Sequence, residues 1–305
     1  MLDNLKLKLT RVANRYYRVA KTALITNKPP ILTTLFFSAA GALDSILSDR
    51  RLDSAQIAAK VLWKQNYHRY FAEHKDQLLA LKTEFPVAIS SDDHKHPRGT
   101  LFDNSVNPRF NAGVYRLLGY PKSIKFLDLG CAGGGLVKSF IEDGHSAIGV
   151  EGSDISRQLR SGEWDTIPFH LFACDITKPF CVVDAEEAPV LFDVVTAWEV
   201  LEHIPEEFLA GLISNIHNHL RTNGYFFCSI DLLPDGNPIT GAVYHKTLKS
   251  ASWWEQQFTE FGFLKVSDHG FATRDMVRGN GSSLKDWHPD DGGGIHLVMQ
   301  KPDRN

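Results

Sequence analysis

Cysteine is scarce in this sequence, and the cysteines present follow no known motif. The 305 residues include four cysteines, with no Cys-x-x-Cys pair and no Cys/His zinc spacing. A secreted disulfide framework or a structural zinc site would require such patterns. The cysteine content therefore favours a reducing, cytoplasmic compartment.

Long apolar segments are also missing. The longest run without a charged residue covers residues 29–43, which is 15 residues, whereas a membrane-spanning helix needs roughly 18 to 20. A secretory signal matches poorly, because the preceding basic stretch is very long and the apolar centre is short. We therefore expect neither a spanning helix nor a cleaved leader in this region.

The chain lacks a large excess of charge of either sign. Its formal net charge is −3, so no overall basic field favours nucleic acid as a partner. The charge is nevertheless uneven, because residues 1–28 hold seven Lys/Arg and one Asp, giving +6 there and −9 in the remainder. The acidic remainder disfavours a long phosphate-binding track.

Residues 1–97 are predicted to form a helical N-terminal extension, with Gly41 as their only glycine. Residues 1–28 have the spacing of a basic amphipathic helix. Two placements stay open for it: peripheral contact with an anionic membrane at its inner face, or packing on the enzyme or a second subunit. A longer helix is predicted from Asp53 to about Phe85, ended by Pro86, and residues 90–99 have the composition of a linker.

From residue 98 to 305 the pattern alternates between strands and helices. Mostly continuous apolar runs of this kind are typical of parallel strands that are covered on both faces. We therefore predict an α/β sheet with right-handed crossovers, finished by an antiparallel pair at the C-terminal end. The predicted strands are 124–129, 147–151, 169–173, 192–197, 225–230, 263–268 and 295–300.

A glycine-rich loop follows the first predicted strand. In FLDLGCAGGGLVKSF, the strand ends near Asp128, and residues 130–135 then lead into a helical pattern. Glycines suit a loop that a ligand approaches closely, because no Cβ blocks the backbone. The loop alone is ambiguous, since Gly130, Ala132 and Gly135 also approximate the dinucleotide fingerprint GxGxxG.

Acidic residues at successive strand ends separate these interpretations. Glu151 ends the second strand 23 residues after Asp128, and Asp175 follows the third strand after another 24 residues. The first carboxylate can accept hydrogen bonds from both ribose hydroxyls, and the second can accept one from an adenine amino group. Ligands of open α/β sheets lie beyond the carboxyl ends of the strands, so these acids favour an adenosine over a pyrophosphate.

Together these motifs resemble the class I S-adenosylmethionine (SAM)-dependent methyltransferases over roughly residues 105–300. The resemblance is carried by DLGCAGGG, VEGSD, CDIT, FDVVTAWEVLEH and NGYFFCSI, with Ala132 standing at the second glycine of the family's DxGxGxG. It implies a Rossmann-like sheet of seven strands, mostly parallel, in the order 3-2-1-4-5-7-6 with strand 7 antiparallel. VEGSDIS, GEW, TIP and CDITKPF also resemble a bacterial subgroup associated with polysaccharide and other sugar modification.

The resemblance further implies which residues bind the cofactor. The loop would hold the methionine portion, Glu151 the ribose and Asp175 the adenine end. Trp198 could cover the sulfonium, where an aromatic face attracts positive charge, or could pack in the core. The implied cofactor-binding residues are Asp128, Gly130, Cys131, Ala132, Gly134, Glu151, Gly152, Asp175, Ile176 and Trp198.

Candidate catalytic residues follow the fourth strand in TAWEVLEHIPEE. Glu199, Glu202 and His203 have i, i+3, i+4 spacing, which predicts one face of a helical turn. This ExxEH pattern resembles metal-dependent members of the superfamily, including ubiquinone O-methyltransferases and small-RNA 2′-O-methyltransferases. Three roles stay open: ligands of Mg²⁺ or a similar ion, although His203 is an atypical magnesium ligand; a metal-free catalytic role, with His203 as base or as the residue that orients the acceptor; or a capping and hydrogen-bonding role. Glu202 and His203 are the candidate catalytic residues of this segment.

Residues farther along the chain could complete the acceptor pocket. His245 could be a second base or a metal ligand, or it could be an ordinary loop histidine. Arg109, Tyr115 and the connection 271–294 could contact the acceptor, and the connection could act as a lid.

The sequence thus predicts transfer of a methyl group from SAM, most simply to a hydroxyl of a sugar, a saccharide-linked compound or another small molecule. Three alternatives are an NAD(P)-dependent oxidoreductase, an RNA 2′-O-methyltransferase and a non-catalytic SAM-binding scaffold. The YxxxK pair of one dehydrogenase group occurs only as Tyr17 and Lys21, upstream of the glycine loop and therefore in the wrong order.

Overall fold

The computed structural model describes residues 78–89, 100–101, 103–237, 241–278 and 293–303. Three predictions concern residues outside these ranges: the basic helix 1–28, the linker 90–99 and the greater part of the helix that begins at Asp53. No helix among the described residues is long and apolar enough to cross a membrane.

The centre of the fold is a seven-stranded sheet. In chain order its strands are β2 (Lys125–Leu129), β3 (Ser146–Glu151), β4 (Leu171–Ala173), β6 (Phe192–Trp198), β7 (Leu220–Asp231), β10 (Leu264–Lys265) and β11 (Gly294–Gln300). Four shorter strands form two separate pairs outside it: β1 (Ala80–Thr83) with β5 (Phe180–Val183), and β8 (Gly236–Asn237) with β9 (Ala242–Val243).

The predicted strand order and directions are confirmed. The order is β4-β3-β2-β6-β7-β11-β10, which is 3-2-1-4-5-7-6 when the seven strands are numbered along the chain. Strand β2 pairs in parallel with both β3 and β6, whereas β11 is antiparallel to β7 and to β10. The carboxyl ends of the five consecutive parallel strands therefore lie along one edge of the sheet.

Helices cover both faces of the sheet. They are α1 (Pro108–Leu117), α2 (Gly135–Glu142), α3 (Ile155–Leu159), α4 (Glu206–His219) and α5 (Ala251–Glu260). Asn107 caps α1 by accepting a hydrogen bond from the Arg109 amide, with Pro108 in the first turn, where a missing N–H costs nothing. Ser250 caps α5 in the same way.

The two faces of the sheet carry different cores. On one face, aliphatic side chains of the central strands pack against α4 and α5. Helix α5 contributes Trp254 and Phe258, which are both fully buried. The other face carries an aromatic cluster in which Phe110 of α1 meets Phe227 of β7, with the ring centroids 5.3 Å apart. This aromatic cluster brings α1 beside the carboxyl edge of the sheet.

The helix predicted from Asp53 to about Phe85 is wrong at its carboxyl end. Residues 80–83 form the strand β1, which pairs antiparallel with β5, with Thr83 opposite Phe180. Of Leu78, Leu81 and Phe85, only Leu81 lies in this four-residue strand. The backbone hydrogen bonds to β5 therefore override the helical spacing. Local periodicity could not reveal a partner about 100 residues away.

Candidate active site

The glycine loop after β2 is held in place by backbone hydrogen bonds on several sides. The Gly130 and Cys131 amides both donate to the Val150 carbonyl, over 2.7 and 3.1 Å. The Gly133 amide donates to the Asp103 carbonyl, and the Glu163 amide donates to the Gly133 carbonyl. The loop is therefore pre-formed, as a site that recognises a ligand through its backbone requires.

Ala132 has the backbone conformation of a glycine. Its φ is +46°, in the left-handed region that L-residues rarely occupy. Its amide donates to Glu151 Oε2 over 2.9 Å, and its carbonyl accepts from Trp164 Nε1 over 2.8 Å. These two bonds offset the strain of a small side chain at the position where the family has glycine.

Close packing at Gly133 leads to a stability prediction with a matched control. A Cβ there would lie 2.4 Å from the Asp103 carbonyl oxygen, which is backbone and cannot turn away. We expect Gly133→Ala to lower the free energy of unfolding by about 1 to 3 kcal/mol through this overlap. Gly144→Ala is the control for a glycine substitution without steric overlap. Gly144 has a φ of +88°, so alanine there is strained, but an added Cβ would have nothing within 4 Å.

Chemical denaturation of the two variants checks this prediction. Gly144→Ala should cost about 1 kcal/mol, the usual penalty for a positive φ, and should leave cofactor binding unchanged. Gly133→Ala should also weaken binding of S-adenosylhomocysteine (SAH), because it displaces the loop. Equal SAH affinity in the two variants would contradict the role assigned to the loop.

Glu151, at the carboxyl end of β3, accepts hydrogen bonds from three backbone amides and acts as a hub for this region. Besides the Ala132 amide, its carboxylate accepts from the amides of Gly152 over 2.9 Å and Ser153 over 3.3 Å. The side chain is buried. Glu151 therefore ties the glycine loop of β2 to the turn after β3, in addition to the ribose contact predicted for it.

Asp175 and Asp128 complete the row of acids along the carboxyl edge. Asp175 Oδ1 accepts from the Thr177 amide and hydroxyl, over 2.9 and 2.6 Å. Asp128 Oδ1 accepts from the Thr196 hydroxyl over 2.6 Å. Burial raises the pKa of Asp128 to about 7, the Thr196 hydrogen bond opposes this shift, and the charge of Glu151 adds to it.

These features fit an adenosyl ligand. The loop glycines let neighbouring segments pack directly on the loop backbone and fix its shape, and buried carboxylates stand on three adjacent strand ends. The hydrogen bonds that the side chains of Asp128 and Asp175 accept from other described residues all use Oδ1. Their second oxygens are therefore not engaged by other described residues, and Asp175 Oδ2 suits an adenine amino group.

Trp198 ends β6 within the aromatic cluster. Its ring meets that of Phe110 edge to face, with centroids 5.1 Å apart. The side chain is buried, and its Nε1 has no hydrogen-bond partner among the described residues. The structure thus shows core packing for Trp198, and its contact with the cofactor stays a prediction.

The predicted helical turn through Glu199, Glu202 and His203 is wrong in its first residue. Glu199 has a φ of +55°, and only Leu201–His203 form a short 3₁₀ turn. Glu199 is fixed instead by its amide, which donates to the Ser229 carbonyl of β7 over 3.1 Å. A left-handed residue between strand and turn could not be read from the i, i+3, i+4 spacing.

Glu202, His203 and His245 converge in space. One ligand atom from each lies within 4.8 Å of the others, and the two imidazole rings meet edge to face with centroids 4.9 Å apart. The connection carrying His245 is pinned to the turn, because the amides of Lys246 and Thr247 donate to the Glu202 carbonyl over 2.7 and 3.0 Å. The set thus includes His245 in place of Glu199.

The hydrogen bonding of His245 defines its tautomer. Its Nδ1 lies 2.5 Å from the Leu233 carbonyl oxygen, which can only accept, so Nδ1 carries the proton. In the neutral ring, Nε2 then has a free lone pair that can accept a proton or bind a metal ion. A backbone carbonyl behind the second ring nitrogen is the usual support of a ligating or basic histidine.

Two carboxyl groups beside these rings are buried without full compensation. Burial raises the pKa of both Glu199 and Glu202, and the charge of Glu199 adds to the shift at Glu202, while His203 lowers both. Glu202 Oε1 accepts from the Asp231 amide over 3.1 Å. Glu202 Oε2 and Glu199 Oε1 are buried and have no hydrogen-bond partner among the described residues.

Other residues predicted at the acceptor pocket lie in different places. The Tyr115 hydroxyl donates to Asp143 Oδ2 over 2.5 Å, next to the C-terminal end of α2 and therefore at the amino edge of the sheet. Burial and this acidic neighbour raise the Tyr115 pKa. Arg109 lies 3.9 Å from Asp275, and residues 279–292 of the predicted lid are outside the described ranges. Tyr115 thus supports the fold at the edge of the sheet opposite the glycine loop.

Some contributors to the site gave little signal in the sequence. Thr196 and Ser229 lie inside buried strands, where a hydroxyl normally indicates nothing beyond a local hydrogen bond. Asp103 acts through its backbone carbonyl, which no motif encodes. Trp164 and Glu163 belong to the GEW segment, whose only signal in the sequence is its part in the family resemblance.

The fold and this site define a class I SAM-dependent methyltransferase, with SAM as its cofactor. The family profile described as "Methyltransferase domain" matches residues 102–274, more than half of the chain, and the chain belongs to this family. The oxidoreductase alternative is therefore excluded.

Curated relatives include ubiquinone biosynthesis O-methyltransferases. That of Pseudomonas aeruginosa (strain LESB58) is 34% identical over 111 residues, covering 34% of this chain and 43% of the relative. The mitochondrial protein of Schizosaccharomyces pombe is 30% identical over 115 residues, covering 37% and 41%. The match thus spans less than half the length of each relative.

Among solved structures, the TehB-like SAM-dependent methyltransferase of Corynebacterium glutamicum is 16% identical, with a TM-score of 0.42, covering 62% of this chain and 87% of that one. The 1,6-didemethyltoxoflavin-N1-methyltransferase of Burkholderia thailandensis is 14% identical, with a TM-score of 0.43, covering 69% and 84%.

Proposed function

We propose that this enzyme transfers the methyl group of SAM to a hydroxyl oxygen of a small molecule, with a saccharide or saccharide-linked compound as the first candidate. The observation that carries the proposal is the convergence of Glu202, His203 and His245. Methyl transfer to a nucleophile that needs no deprotonation can rely on positioning alone. A hydroxyl is a poor nucleophile until it loses its proton, and this set can take that proton.

The proposed active site lies beside the cofactor loop. A Cβ on Gly130 would lie 2.3 Å from Val200 Cγ2, so the segment that begins the 3₁₀ turn packs directly against the glycine loop. The turn also places Glu202 and His203 just beyond the tip of β6, which is next to β2 in the sheet. An acceptor held by this set would therefore lie on the cofactor side of the sheet.

The proposed chemistry is an in-line displacement. The acceptor oxygen forms a bond to the methyl carbon as the bond from that carbon to sulfur breaks, and SAH leaves. The hydroxyl proton passes to His245 Nε2, the ring nitrogen left with a lone pair. Glu202, in the same group, stabilises the imidazolium that forms, and His203 orients the acceptor.

A phenolic acceptor is the second candidate, favoured by the names of the relatives as ubiquinone biosynthesis O-methyltransferases. RNA is a third, suggested by the ExxEH resemblance alone. We propose that the reaction takes place in the cytoplasm.

The convergent group of Glu202, His203 and His245 could alternatively bind a divalent cation. Glu202, His203 and His245 would be its ligands, with Glu199 beside them. Two buried carboxylate oxygens that have no hydrogen-bond partner in the described part of the chain favour such a charge. Mixed imidazole and carboxylate donors suit Mn²⁺ or Zn²⁺ better than Mg²⁺. When bound, the cation would supply Lewis-acid polarisation of the acceptor oxygen.

A product-detecting screen tests the proposed function. The enzyme and SAM are incubated with sugar nucleotides and glycans, with catechols and quinols, and with RNA, and products are identified by mass spectrometry. We expect a methyl ether on a saccharide or phenol. A product methylated on nitrogen or carbon would refute the proposal, and a methyl ether on RNA ribose would replace the small-molecule acceptor.

Removal of metal ions by a chelator distinguishes the two proposed roles of Glu202, His203 and His245, which are to bind a cation or to provide a metal-free base. If these residues bind a cation, EDTA followed by dialysis should lower activity at least about tenfold, because a Lewis-acid cation contributes several kcal/mol of transition-state stabilisation, and Mn²⁺ should restore it. Mn²⁺ should also raise the Tm of the enzyme, through linkage to the native state, and should not raise that of Glu202→Ala. Full activity after EDTA, with no Tm shift, would leave the imidazole base as the remaining role.

A further inference from the structure

A segment that precedes the methyltransferase motifs crosses the carboxyl edge of the sheet. We name residues 84–89 the strap. The Phe85 carbonyl accepts a hydrogen bond from the Asp175 amide over 2.9 Å, and the Ala88 amide donates to the Gly152 carbonyl over 2.8 Å. The strap is thus bonded to the turn after β3 and to the turn after β4.

The strap is anchored on its N-terminal side by β1. Antiparallel pairing of β1 with β5 directs the chain toward β4, with Thr83 opposite Phe180. The Thr83 hydroxyl accepts from the Phe85 amide over 2.9 Å and also interacts with the thiol of Cys174, the residue before Asp175. The first bond of the strap is therefore fixed by a small sheet whose first strand, β1, precedes the matched methyltransferase domain.

At its other end, the strap lies against Gly152. A Cβ added to Gly152 would be 3.1 Å from the Ala88 Cβ, so a larger residue there would hold the strap farther from the tip of β3. From Phe85 to Ala88 the chain can extend over at most about 10 Å. It therefore bridges the turns that carry Glu151 and Asp175, the two acids proposed to bind the ribose and the adenine.

From these contacts, we propose that the strap is the outer wall of the nucleoside pocket and that the Ala88–Gly152 hydrogen bond holds it closed over the bound adenosine. The inference depends on the proposed placement of the nucleoside at Glu151 and Asp175. Ala88 is a positioning residue in this scheme, because it acts through the turn after β3. Its chief effect is to slow release of the cofactor and of SAH.

Ala88→Pro removes the donor of this bond. We expect it to weaken binding of SAH by about three- to tenfold, the value of one backbone hydrogen bond, mainly by faster dissociation. The factor should be the same for 5′-methylthioadenosine, which lacks the amino-acid portion, because the strap covers the nucleoside. KM for SAM should rise and kcat should stay unchanged.

Lys122→Pro is the matched control, because it also introduces a proline in a loop but lies outside the proposed pocket. Lys122 is exposed in the loop that leads into β2, at the amino edge of the sheet, and its amide has no backbone partner among the described residues, so the affinity for SAH should not change. Asp175→Asn tests the underlying placement, because it removes charge from the proposed adenine acceptor and leaves the strap intact. If Asp175→Asn binds SAH with normal affinity, the proposed placement of the adenosine is wrong. If Asp175→Asn binds SAH weakly but Ala88→Pro binds it normally, the placement stands and only the proposed role of the strap is wrong.

Hydrogen exchange of the unaltered enzyme provides a test that needs no variant. SAH should slow exchange in peptides that cover residues 84–89, and should leave peptides from β10 unchanged, because that strand lies at the opposite edge of the sheet. Exchange in the strap that is the same with and without SAH would overturn the proposal.

Discussion

Glu151→Ala should destabilise the enzyme and weaken its cofactor binding together. Three backbone amides donate to the Glu151 carboxylate, from Ala132, Gly152 and Ser153, and alanine would leave them without that acceptor in a buried region. Each unsatisfied buried donor costs about 1 to 3 kcal/mol. Allowing for partial relaxation, we expect the free energy of unfolding to fall by about 2 to 4 kcal/mol.

The affinity for SAH should fall as well, because the ribose loses its acceptor and the glycine loop loses its tether. Urea denaturation with and without SAH, together with calorimetric titration, measures both effects. Glu186→Ala is the control: Glu186 is an exposed loop acid, and its removal should change stability by less than about 0.5 kcal/mol. A Glu151→Ala variant with normal stability and normal SAH affinity would contradict the role of Glu151 as a hub.

His245→Ala should lower kcat by about 10² to 10⁴-fold, the contribution usual for a positioned general base. Its Nδ1–H is committed to the Leu233 carbonyl, so the ring presents Nε2 toward the group formed with Glu202 and His203. SAH binding should be unchanged, because none of these residues belongs to the proposed cofactor pocket. The measurement is single-turnover methyl transfer to the acceptor that the screen identifies.

His217→Ala is the control for loss of a histidine elsewhere. His217 lies on α4, where its ring packs on Phe263 with the centroids 5.5 Å apart, and we expect its removal to leave kcat unchanged. Normal turnover in His245→Ala would refute the assignment of His245. A loss of turnover accompanied by an equal loss of SAH affinity would indicate a general disturbance of the site.

The acids at the carboxyl ends of β2, β3 and β4 illustrate what the sequence could predict about the site. Asp128, Glu151 and Asp175 follow apolar runs of strand length, and parallel strands of one sheet must place their carboxyl ends on the same edge. Proximity of the three residues therefore followed from topology without any knowledge of side-chain contacts. The structure adds the Glu151 hydrogen bonds to the loop, which depend on backbone geometry.

The region after β6 illustrates the opposite case. The spacing of Glu199, Glu202 and His203 predicted a helical turn, but Glu199 adopts a left-handed conformation and is bonded to Ser229 of β7. His245 enters the group only because the connection after β9 folds back on the Glu202 carbonyl. No local pattern encodes a contact that depends on two separate backbone hydrogen bonds.

The order of residues by itself determined the class of fold, the glycine loop and the acids along the edge of the sheet, because these depend on hydrophobic periodicity and chain connectivity. The strand order was implied by the family resemblance that the motifs carry. Tertiary structure alone decided that residues 80–83 form a strand, that residues 84–89 cross the proposed nucleoside site, and that His245 joins Glu202 and His203. Each of these depends on hydrogen bonds between segments distant in the chain, whose energies outweigh weak local preferences.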